Sequence, residues 1–437
     1  MSAVTNGTLI IGGGLAGLSA GWHLGRDATL LEASSVVGGL CRSYRREGYT
    51  FDISGHLLHF RRPDIRRFVA ARLPGALARH RRRAFVHFHG RLVHYPFQAH
   101  LFELPAPVRD ECLRGFFKAA GEKEAGAATP GDFEGWLRHH FGAGIVKHFL
   151  GPYNRKMWRV PLRRIDPAWA AWAIPVPTPA QIQEAGRPGV DLQLGYNPIF
   201  SYPREGGVGV LATALARGGD MRLHLGEKVV GVDLRRRRAE TLSGRTWEFE
   251  RLVSTAPLPE LLRMTRGLPQ AVAAAAERLR CVSICIANIG LARPATQQAH
   301  WFYFPEPVYP FYRVGITTNV APAMAPSGCH VLSVEATLPF GTRRGCGERW
   351  GDIRRGLERA GLLGRGEVPA VVDLVHVPYA YVLYDRHRAQ VLPGILRELE
   401  SRGVHSIGRY GAWEYGTMED ALWQGSETAR RIGEARS

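Results

Sequence analysis

A glycine-rich segment near the start of the chain has residue types and spacing suited to holding phosphate groups. Residues 12–17 (GGGLAG) follow the apolar run 8–11 (TLII) and precede a stretch with helical spacing of apolar side chains. Unpaired N–H groups and the helix dipole favour an anion at such a helix start. A second apolar run, 28–32, ends in Glu32, where a carboxylate would accept ribose hydroxyls. This order of strand, turn, helix, strand and acid predicts a dinucleotide site in an α/β fold.

The next segment indicates which dinucleotide the site takes. Residues 37–43 (VGGLCRS) resemble the second glycine motif of FAD proteins of the glutathione-reductase-like group, in which a further loop contacts the pyrophosphate. NAD enzymes need no such loop, so FAD is favoured over NAD. Residues 52–59 (DISGHLLH) would then lie beside the flavin, where Gly55 permits close backbone approach and His56 could hydrogen-bond. The alternative for His56 is a packed structural histidine.

The rest of the chain alternates between β-type and helical patterns that must position these groups. Residues 105–158 have a helical pattern, residues 174–200 are rich in proline and glycine, and a capping box at Thr417 opens a helix towards Ile432. Apolar runs and alternation predict strands elsewhere, with a hairpin around residues 89–90. These β-type segments are 79–104, 252–257, 280–340 and 368–384.

Composition limits the possible classes of protein. With 437 residues, 45% hydrophobic and 22% charged, the chain is an ordinary globular protein of two or three domains. Net charge is +18, and 52 of the 57 basic side chains are arginines, which favours anionic ligands. The basic runs 79–83 and 235–238 are interpreted as solvated faces, so no nucleic acid is expected as a partner. The spacing of His and Cys predicts no metal site.

Targeting signals and cysteine content predict the compartment. The N-terminus lacks a basic region before its first strand, which argues against a signal peptide, and no stretch approaches the ~20 apolar residues of a membrane span. Six cysteines without a paired framework favour a reducing compartment. We therefore expect a cytoplasmic protein without membrane insertion, whose oligomeric state stays open.

Five spaced motifs together resemble the UDP-galactopyranose mutase family, closer to its eukaryotic branch, over nearly the whole chain. The motifs are 95–98 (YPFQ), 151–158 (GPYNRKMW), Asn197 with 202–207 (YPREGG), 303–306 (YFPE) with 310–313 (PFYR), and 409–415 (RYGAWEY). The resemblance implies a Rossmann-like FAD-binding domain, an inserted helical domain and a six-stranded antiparallel β-sheet domain, interleaved in sequence. The predicted boundaries are 1–78, 205–270 and 395–437 for the FAD domain, 105–175 for the helical domain, and 79–104, 176–204 and 271–394 for the sheet domain.

The resemblance also implies roles for individual residues. Arg313 and Arg409 would hold the pyrophosphate and stabilise its charge as it leaves, with His56 and Asn197 beside the flavin or sugar. The substrate residues implied are Tyr95, Phe97, Gln98, Leu150, Asn154, Trp158, Asn197, Tyr303, Arg313, Tyr381, Arg409 and Tyr415. The cofactor residues are Gly12, Gly14, Leu15, Ala16, Gly17, Glu32, Ala33, Gly38, Gly39, Leu40, Ser43, His56, Gly416, Met418 and Asp420.

The implied activity is that of an isomerase, an intramolecular transferase that interconverts UDP-galactopyranose and UDP-galactofuranose for cell-wall or glycan biosynthesis. In the family, N5 of FAD reduced by NAD(P)H or another reductant displaces UDP and forms a covalent sugar iminium. Two departures from the family pattern, Ala173 for an arginine and Leu150 for a methionine, leave a mutase of another nucleotide sugar as an alternative. An FAD oxidase or desaturase of the amine-oxidase type and a non-catalytic nucleotide-binding protein are the others.

Overall fold

The structure of the protein is a computed structural model. It describes residues 2–4, 7–189, 192, 194–195, 198–339, 341–342 and 346–435. Asn197, predicted to contact the flavin or the sugar, lies outside the described residues.

The described chain forms 21 strands and 14 α-helices. The strands are β1 Ser2–Val4, β2 Thr8–Ile11, β3 Ala28–Glu32, β4 Ser43–Arg46, β5 Tyr49–Asp52, β6 Leu77–Arg81, β7 Ala84–Phe88, β8 Arg91–His94, β9 Ile199–Pro203, β10 Arg222–Leu225, β11 Val229–Asp233, β12 Arg238–Thr241, β13 Thr246–Glu248, β14 Arg251–Ser254, β15 Thr265–Arg266, β16 Cys281–Leu291, β17 Trp301–Tyr303, β18 Arg313–Ile316, β19 His330–Leu338, β20 Val371–Val382 and β21 Val404–Ser406. The helices are α1 Leu15–Leu24, α2 Pro63–Arg72, α3 Ala106–Glu124, α4 Phe133–Ile145, α5 Gly151–Trp158, α6 Ala170–Ala173, α7 Pro179–Ala185, α8 Gly209–Gly218, α9 Leu258–Met264, α10 Gln270–Ala276, α11 Trp350–Arg359, α12 Arg386–Ser401, α13 Gly408–Gly411 and α14 Met418–Glu434.

A five-stranded parallel sheet forms the Rossmann-like core, in the order β10-β3-β2-β14-β21. Its central strand β2 is a continuous apolar run with every residue buried, as expected for a strand covered on both faces. The predicted strands 8–11 and 28–32 are confirmed with the same bounds. Because β2 leads straight into α1, the glycine turn between them lies at the carboxyl edge of this sheet.

The C-terminal helix α14 packs on α1 although the two are far apart in sequence. The Ser19 hydroxyl donates to the Leu422 carbonyl over 2.6 Å. A Cβ on Gly425 would lie 2.4 Å from the Ala16 carbonyl oxygen, so only glycine permits this approach. Thr417 caps α14 in a capping box with Asp420, as predicted.

Two further large sheets flank the core, and the described residues also form two two-stranded sheets, β4-β5 and β6-β9. One large sheet has five strands in the order β1-β13-β12-β11-β15, and the other has seven in the order β20-β16-β19-β18-β17-β7-β8. The family resemblance implied six antiparallel strands for the larger sheet. The described residues give seven, with one parallel pair, β17 and β7, because the predicted hairpin of β7 and β8 adds to the edge.

The helical segment α3 to α7 covers one end of the large sheet. Its core is aromatic and fully buried, and includes Phe116, Phe133 and Phe141. A π-helical turn, Val146–Leu150, joins α4 to α5. Such turns recur at functional sites, and this one places Leu150 and Asn154 on the inner side of the segment.

The fold pairs two cysteines that the sequence pattern left unpaired. Cys285 of β16 and Cys346, just before α11, form a disulfide with a Cα–Cα distance of 5.4 Å. The two positions are 61 residues apart, so no local spacing pattern announces the pair. The expectation of a chain without paired cysteines is therefore wrong for these two residues.

Candidate active site

A single large cavity lies where the parallel sheet, the helical segment and the seven-stranded sheet meet. Its volume is about 1190 Å³. This exceeds the roughly 300–1,000 Å³ of an ordinary small-molecule site, so there is room for two ligands side by side. We call the part lined by residues 12, 14–16, 31–33 and 38–41 the phosphate end. The part lined by Tyr303, Arg313, Tyr381, Arg409 and Tyr415 is called the arginine–tyrosine end.

Backbone groups build the phosphate end. Gly12 has φ of +99°, a conformation that other residues rarely adopt, and it turns the chain from β2 towards α1. Gly14 precedes α1 without a side-chain cap, and a Cβ on it would meet no atom within 4 Å. The helix N-terminus therefore opens onto the cavity with free donors, which suits a pyrophosphate. Gly17 does not line the cavity, because it packs α1 against the Gly12 carbonyl.

The Glu32 carboxylate lies beside this turn. It accepts hydrogen bonds from the Gly13 N–H at 2.6 Å and the Ser34 N–H at 2.7 Å, which fixes it at the end of β3. It lines the cavity together with Ala33. This is the position that the sequence pattern predicts for a ribose-binding acid.

The second glycine motif is held by a buried carboxyl group. The Asp52 side chain accepts hydrogen bonds from the Ser43 hydroxyl at 2.5 Å, the Tyr202 hydroxyl and the Val208 N–H at 3.2 Å. Burial raises the pKa of Asp52 to about 6. Ser43, predicted to bind the cofactor, does not line the cavity, since its hydroxyl connects Asp52 to the Gly209 N–H.

His56 lines the cavity between its two ends. Burial, followed by the charge of Arg409, lowers the pKa of His56 to about 4, so its imidazole is neutral at pH 7. Its Nδ1 atom is buried and has no hydrogen-bond partner. A neutral ring that borders the cavity can hydrogen-bond to a ligand, and the predicted contact with the flavin stays a prediction.

Arg313 is fixed by a buried ion pair. Its Nη2 donates to Oε1 of Glu335 at 2.6 Å and its Nε donates to Oε2 at 3.1 Å. The Glu335 residue is 1% exposed. Burial alone would raise the pKa of Glu335, but the charge and hydrogen bonds of Arg313 outweigh burial and lower it. The guanidinium plane is therefore oriented from behind, on the floor formed by β18 and β19.

Arg409 is held differently. Its guanidinium donates to the carbonyl oxygens of Ala380 at 2.9 Å and Gly416 at 2.9 Å, and no carboxylate among the described residues pairs with it. Its Cζ lies 4.7 Å from the ring centroid of Tyr415 and 5.3 Å from that of Tyr381. Backbone dipoles and ring faces thus surround a cation whose charge no buried anion neutralises.

Tyrosine hydroxyls complete the arginine–tyrosine end. The Tyr381 hydroxyl lies 3.2 Å from that of Tyr312, which donates to Glu335 at 2.5 Å. The Tyr303 ring lies 4.6 Å from that of Tyr95. Burial raises the pKa of Tyr381 and Tyr303, so both keep their protons at neutral pH.

The helical side of the cavity carries the residues predicted to hold a base. The Gln98 Nε2 donates to the Pro175 carbonyl at 2.9 Å, while its Oε1 is buried without a partner. The Asn154 Nδ2 donates to the Leu150 carbonyl at 2.8 Å, and its Oδ1 accepts from Trp158 Nε1 at 3.3 Å. Trp158 itself is 1% exposed and lies behind Asn154, outside the cavity lining.

Most predicted site residues line this one cavity, although the list of lining residues does not test their roles. The lining includes Gly12, Gly14, Leu15, Ala16, Glu32, Ala33, Gly38, Gly39, Leu40, His56, Tyr95, Gln98, Leu150, Asn154, Tyr303, Arg313, Tyr381, Arg409, Tyr415, Gly416 and Met418. Ala173, the departure from the family pattern, also lines it. Five predicted residues lie behind the lining: Gly17, Ser43, Phe97, Trp158 and Asp420.

These five act on their neighbours rather than on the open space. Phe97 is fully buried and stacks on Phe149, with ring centroids 5.1 Å apart. Asp420 accepts from the N–H and hydroxyl of Thr417 and so caps α14. A contact motif read along the sequence does not distinguish a lining side chain from the residue that supports it.

Sequence reasoning gave no individual role to several lining residues, although Asp52 lies in the segment 52–59 expected beside the flavin and Tyr153 in the motif 151–158. Glu335, Asp52, Tyr153 and Val229 all border the cavity. Glu335 and Val229 lie inside ordinary strands, so nothing local marks them. Asp52 could have been recognised from the sequence, because it is a charged residue at the end of the apolar strand β5. Carboxylates are rare in such buried positions unless they have partners.

Comparison with known proteins agrees with this architecture. The family model described as flavin containing amine oxidoreductase matches residues 15–433. The chain belongs to this family. A crystal structure of reduced UDP-galactopyranose mutase is similar with a TM-score of 0.91 and 26% identity, covering 98% of this chain and 96% of that one.

Two less similar relatives show the fold alone. A putative protoporphyrinogen oxidase from Exiguobacterium sp. has a TM-score of 0.77 and 16% identity, with full coverage of both chains. Putrescine oxidase, in a structure bound to putrescine, has a TM-score of 0.65 and 16% identity, covering 99% of this chain and all of that one. Solved structures named as oxidases and as a mutase thus share this scaffold.

The residues present fit the flavin cofactor that the family implies. The uncapped start of α1, the open space at Gly14 and the carboxylate of Glu32 form a cradle for a dinucleotide. In the described part of the chain, no helix is long and apolar enough to cross a membrane. Nor does that part contain three or more His, Cys, Asp or Glu side chains grouped so as to hold a metal ion.

Proposed function

We propose that the protein is an FAD-dependent mutase that interconverts UDP-galactopyranose and UDP-galactofuranose. One observation carries this proposal: Arg313 and Arg409 border the same cavity as a dinucleotide cradle. One anion site would serve the cofactor and a second would serve a substrate that also contains a diphosphate. The similarity to UDP-galactopyranose mutase supports the choice of substrate.

FAD would be held by residues 12–16, by Glu32 and Ala33, and by the loop 38–40. His56, Gly416 and Met418 would lie near its ring, where the N-terminus of α14 favours negative charge. When bound and reduced, the flavin would supply a nucleophile for the anomeric carbon. NAD(P)H or another reductant would activate the enzyme.

The protein side chains would manage the charge of the leaving diphosphate. A guanidinium donates through two parallel N–H groups and matches phosphate oxygens, and a low-dielectric cavity strengthens that contact. The Tyr381 and Tyr415 side chains would add contacts from the same wall. Because His56 is neutral, it adds no third positive charge at the arginine–tyrosine end. Arg313 and Arg409 are then the cations that the substrate would meet there.

The helical side would take the uracil ring and ribose. Gln98 Oε1 is buried without a partner, and an imide N–H is the kind of donor that would satisfy it. Asn154 would exchange one of its internal hydrogen bonds for the base. Ala173 and Leu150 both line the cavity, so a mutase for a different nucleotide sugar remains a variant of the proposal.

A second candidate is a flavin oxidase acting on an amine, because the family model and the similarity to putrescine oxidase favour it. The charge of the cavity argues the other way. Arg409 lacks a neutralising carboxylate among the described residues, and a substrate ammonium group would be repelled there.

The deciding experiment incubates the purified holoenzyme with UDP-galactofuranose under anaerobic conditions, with and without dithionite, and separates the products by chromatography. The expected result is UDP-galactopyranose only in the reduced sample, with no reductant consumed per turnover. Parallel samples with GDP- and dTDP-hexoses test the nucleotide. Bleaching of the oxidised flavin by putrescine or another amine, without sugar isomerisation, would establish the oxidase instead.

The remaining sequence predictions extend this proposal. We propose the three interleaved domains with the boundaries given above, and a cytoplasmic enzyme whose furanose product enters a glycan. Measuring the activity in soluble and membrane fractions of the native cell tests the location. Limited proteolysis of the holoenzyme tests the boundaries, because cleavage is expected between domains before it occurs within them.

A further inference from the structure

Glu335 connects groups that belong to different walls of the cavity. Its Oε1 accepts from Arg313, from the Ser54 hydroxyl at 2.8 Å and from the Gly55 N–H at 3.2 Å. Its Oε2 accepts from Arg313 and from the Tyr312 hydroxyl at 2.5 Å. One buried carboxylate therefore receives five hydrogen bonds from the large sheet and from the loop that carries His56.

The strand register explains how these groups meet. Glu335 of β19 pairs with Arg313 of β18 and with Ile286 of β16, so its side chain lies in the middle of the sheet. Ser54 and Gly55 follow β5 and cross this sheet at the same place. A Cβ on Gly55 would lie 3.6 Å from Arg313 Nη2 and 3.9 Å from Glu335 Oε1. The loop beside the flavin position and the arginine thus share one anchor.

The hydrogen-bond direction extends this anchor to Tyr381. The pKa of Glu335 is lowered, since Arg313 outweighs its burial, so the carboxylate has no proton to donate. The Tyr312 hydroxyl must therefore give its single proton to Glu335. The Tyr381 hydroxyl, 3.2 Å away, is then the donor to Tyr312.

We propose that Glu335 is the positioning residue of the diphosphate site, which is the arginine–tyrosine end of the cavity. It orients the Arg313 guanidinium directly and the Tyr381 hydroxyl through Tyr312. It also connects both groups to the Ser54–Gly55 backbone beside the flavin, which we call the flavin loop. This rests on the proposed function for the identity of the anion. Because Glu335 bonds to both, its side chain fixes the distance between the diphosphate site and the flavin loop.

The test measures UDP binding to the oxidised holoenzyme by calorimetry, so that turnover is not needed. Glu335→Gln keeps the shape but offers one acceptor oxygen, and its amide N–H groups oppose the Arg313 Nε–H and the Tyr312 O–H. We expect UDP to bind about tenfold more weakly. In an Arg313→Ala background the same change should alter the dissociation constant less than about threefold, because only the connection through Tyr312 to Tyr381 remains.

A second pair of variants keeps the ion pair intact. Tyr312→Phe should tighten UDP binding about threefold, because the Tyr381 proton is then free to donate to the anion, and this effect should vanish in a Tyr381→Phe background. Tyr309→Phe is the matched control, because it removes a buried hydroxyl three residues away whose partner among the described residues is His87, at 3.5 Å, and which does not line the cavity. It should leave UDP binding unchanged.

Two readouts do not depend on UDP. Glu335→Gln removes a buried negative charge that bonds to the flavin loop, so the midpoint potential of the bound flavin should become more positive. Arg313→Ala should lower the melting temperature more than the double variant Arg313→Ala/Glu335→Gln, because only the single variant leaves a buried unpaired carboxylate.

The outcomes separate the two proposals. If wild-type protein does not bind UDP, the proposed function fails, and the potential and melting series still decide the role of Glu335. If UDP binds and Glu335→Gln leaves its affinity unchanged or raises it, Glu335 does not position the site. Additive effects of Glu335→Gln and Arg313→Ala on UDP binding would also overturn the proposal.

Discussion

The phosphate end of the cavity and its arginine–tyrosine end differ in what supplies their polar groups. At the phosphate end, backbone N–H groups of contiguous residues face the ligand space, and glycines give it room. At the other end, side chains from β17, β18, β20 and α13 converge, and each is held by a partner from elsewhere. The first end is local in sequence, whereas the second exists only in the folded protein.

The difference has a physical consequence for tolerance to substitution. A backbone site is sensitive to added volume, since any Cβ in the wrong place fills it. A side-chain site is sensitive to loss of charge and of the groups that orient it. Matched variants at the two ends should therefore fail in different ways.

The largest expected effect comes from adding volume beside the glycine turn. Gly17→Val would place Cβ 2.0 Å from the Gly12 carbonyl oxygen, and we expect little folded protein. The matched variant Gly14→Val has its Cβ in open space and should fold while losing flavin. Circular dichroism and the flavin absorbance per chain measure the two properties. Equal flavin content in Gly14→Val and wild type would contradict the assignment of the phosphate end to cofactor binding.

The second prediction concerns the arginines. Arg409→Ala and Arg313→Ala should each lower kcat/KM about 10²-fold while flavin stays bound, the cost of losing a contact to a developing anion. Lysine should rescue little, because it lacks the planar fork.

The two variants should differ in stability, which sharpens the comparison within the arginine–tyrosine end. Arg313→Ala leaves Glu335 buried and unpaired, whereas Arg409→Ala leaves only carbonyl oxygens. In thermal unfolding, the melting temperature should therefore fall more in Arg313→Ala than in Arg409→Ala. Wild-type kinetics in either variant would remove that arginine from the site.

A third prediction separates a lining residue from its support. Asn154→Ala should weaken UDP about tenfold without changing the flavin spectrum, since the amide lines the cavity. Trp158→Phe removes the indole N–H and part of the ring volume behind Asn154, changes no residue of the cavity lining, and should have an effect of about twofold. Calorimetry with UDP measures both. The reverse order of effects would mean that the indole itself contacts the base.

The smallest expected effect is on the pH dependence of stability. Burial, followed by the charge of Arg83, lowers the pKa of His300 to about 3 in the folded protein, against about 6.5 when unfolded. The unfolded chain then binds more protons between these values, so this contribution is present above pH 6.5 and is lost as pH falls towards 3.

The variant His300→Asn keeps an acceptor for the Arg83 N–H, which now bonds to Nδ1 at 3.2 Å, but cannot titrate. Its melting temperature should fall less than that of wild type between pH 7 and pH 5. If the melting temperatures of the two proteins fell equally between pH 7 and pH 5, the prediction would be contradicted.

The sequence predicts the phosphate end well because all its information is local. The turn 12–17 and the strands around it occur as expected, since an apolar run, glycines and a helical period specify them together. The family resemblance singled out Arg313 and Arg409, which the structure places on one cavity, while their role stays a prediction. It could not show that Glu335 holds one and carbonyl groups the other, because those partners come from strand register. The disulfide and the seventh strand of the large sheet were not predicted, for the same reason.

The contact between α14 and α1 has a consequence for synthesis on the ribosome. Ser19 and Leu422, which hydrogen-bond in the finished protein, are separated by 403 positions along the chain. At about 5–20 residues per second, the first helix waits on the order of 20–80 seconds for its partner to be translated. During that interval the nascent chain exposes the small-residue surface around Ala16 and Ser19, which Gly425 later covers. A flavin captured by the emerging glycine turn would have only half of its walls, so cofactor loading is expected to follow chain release.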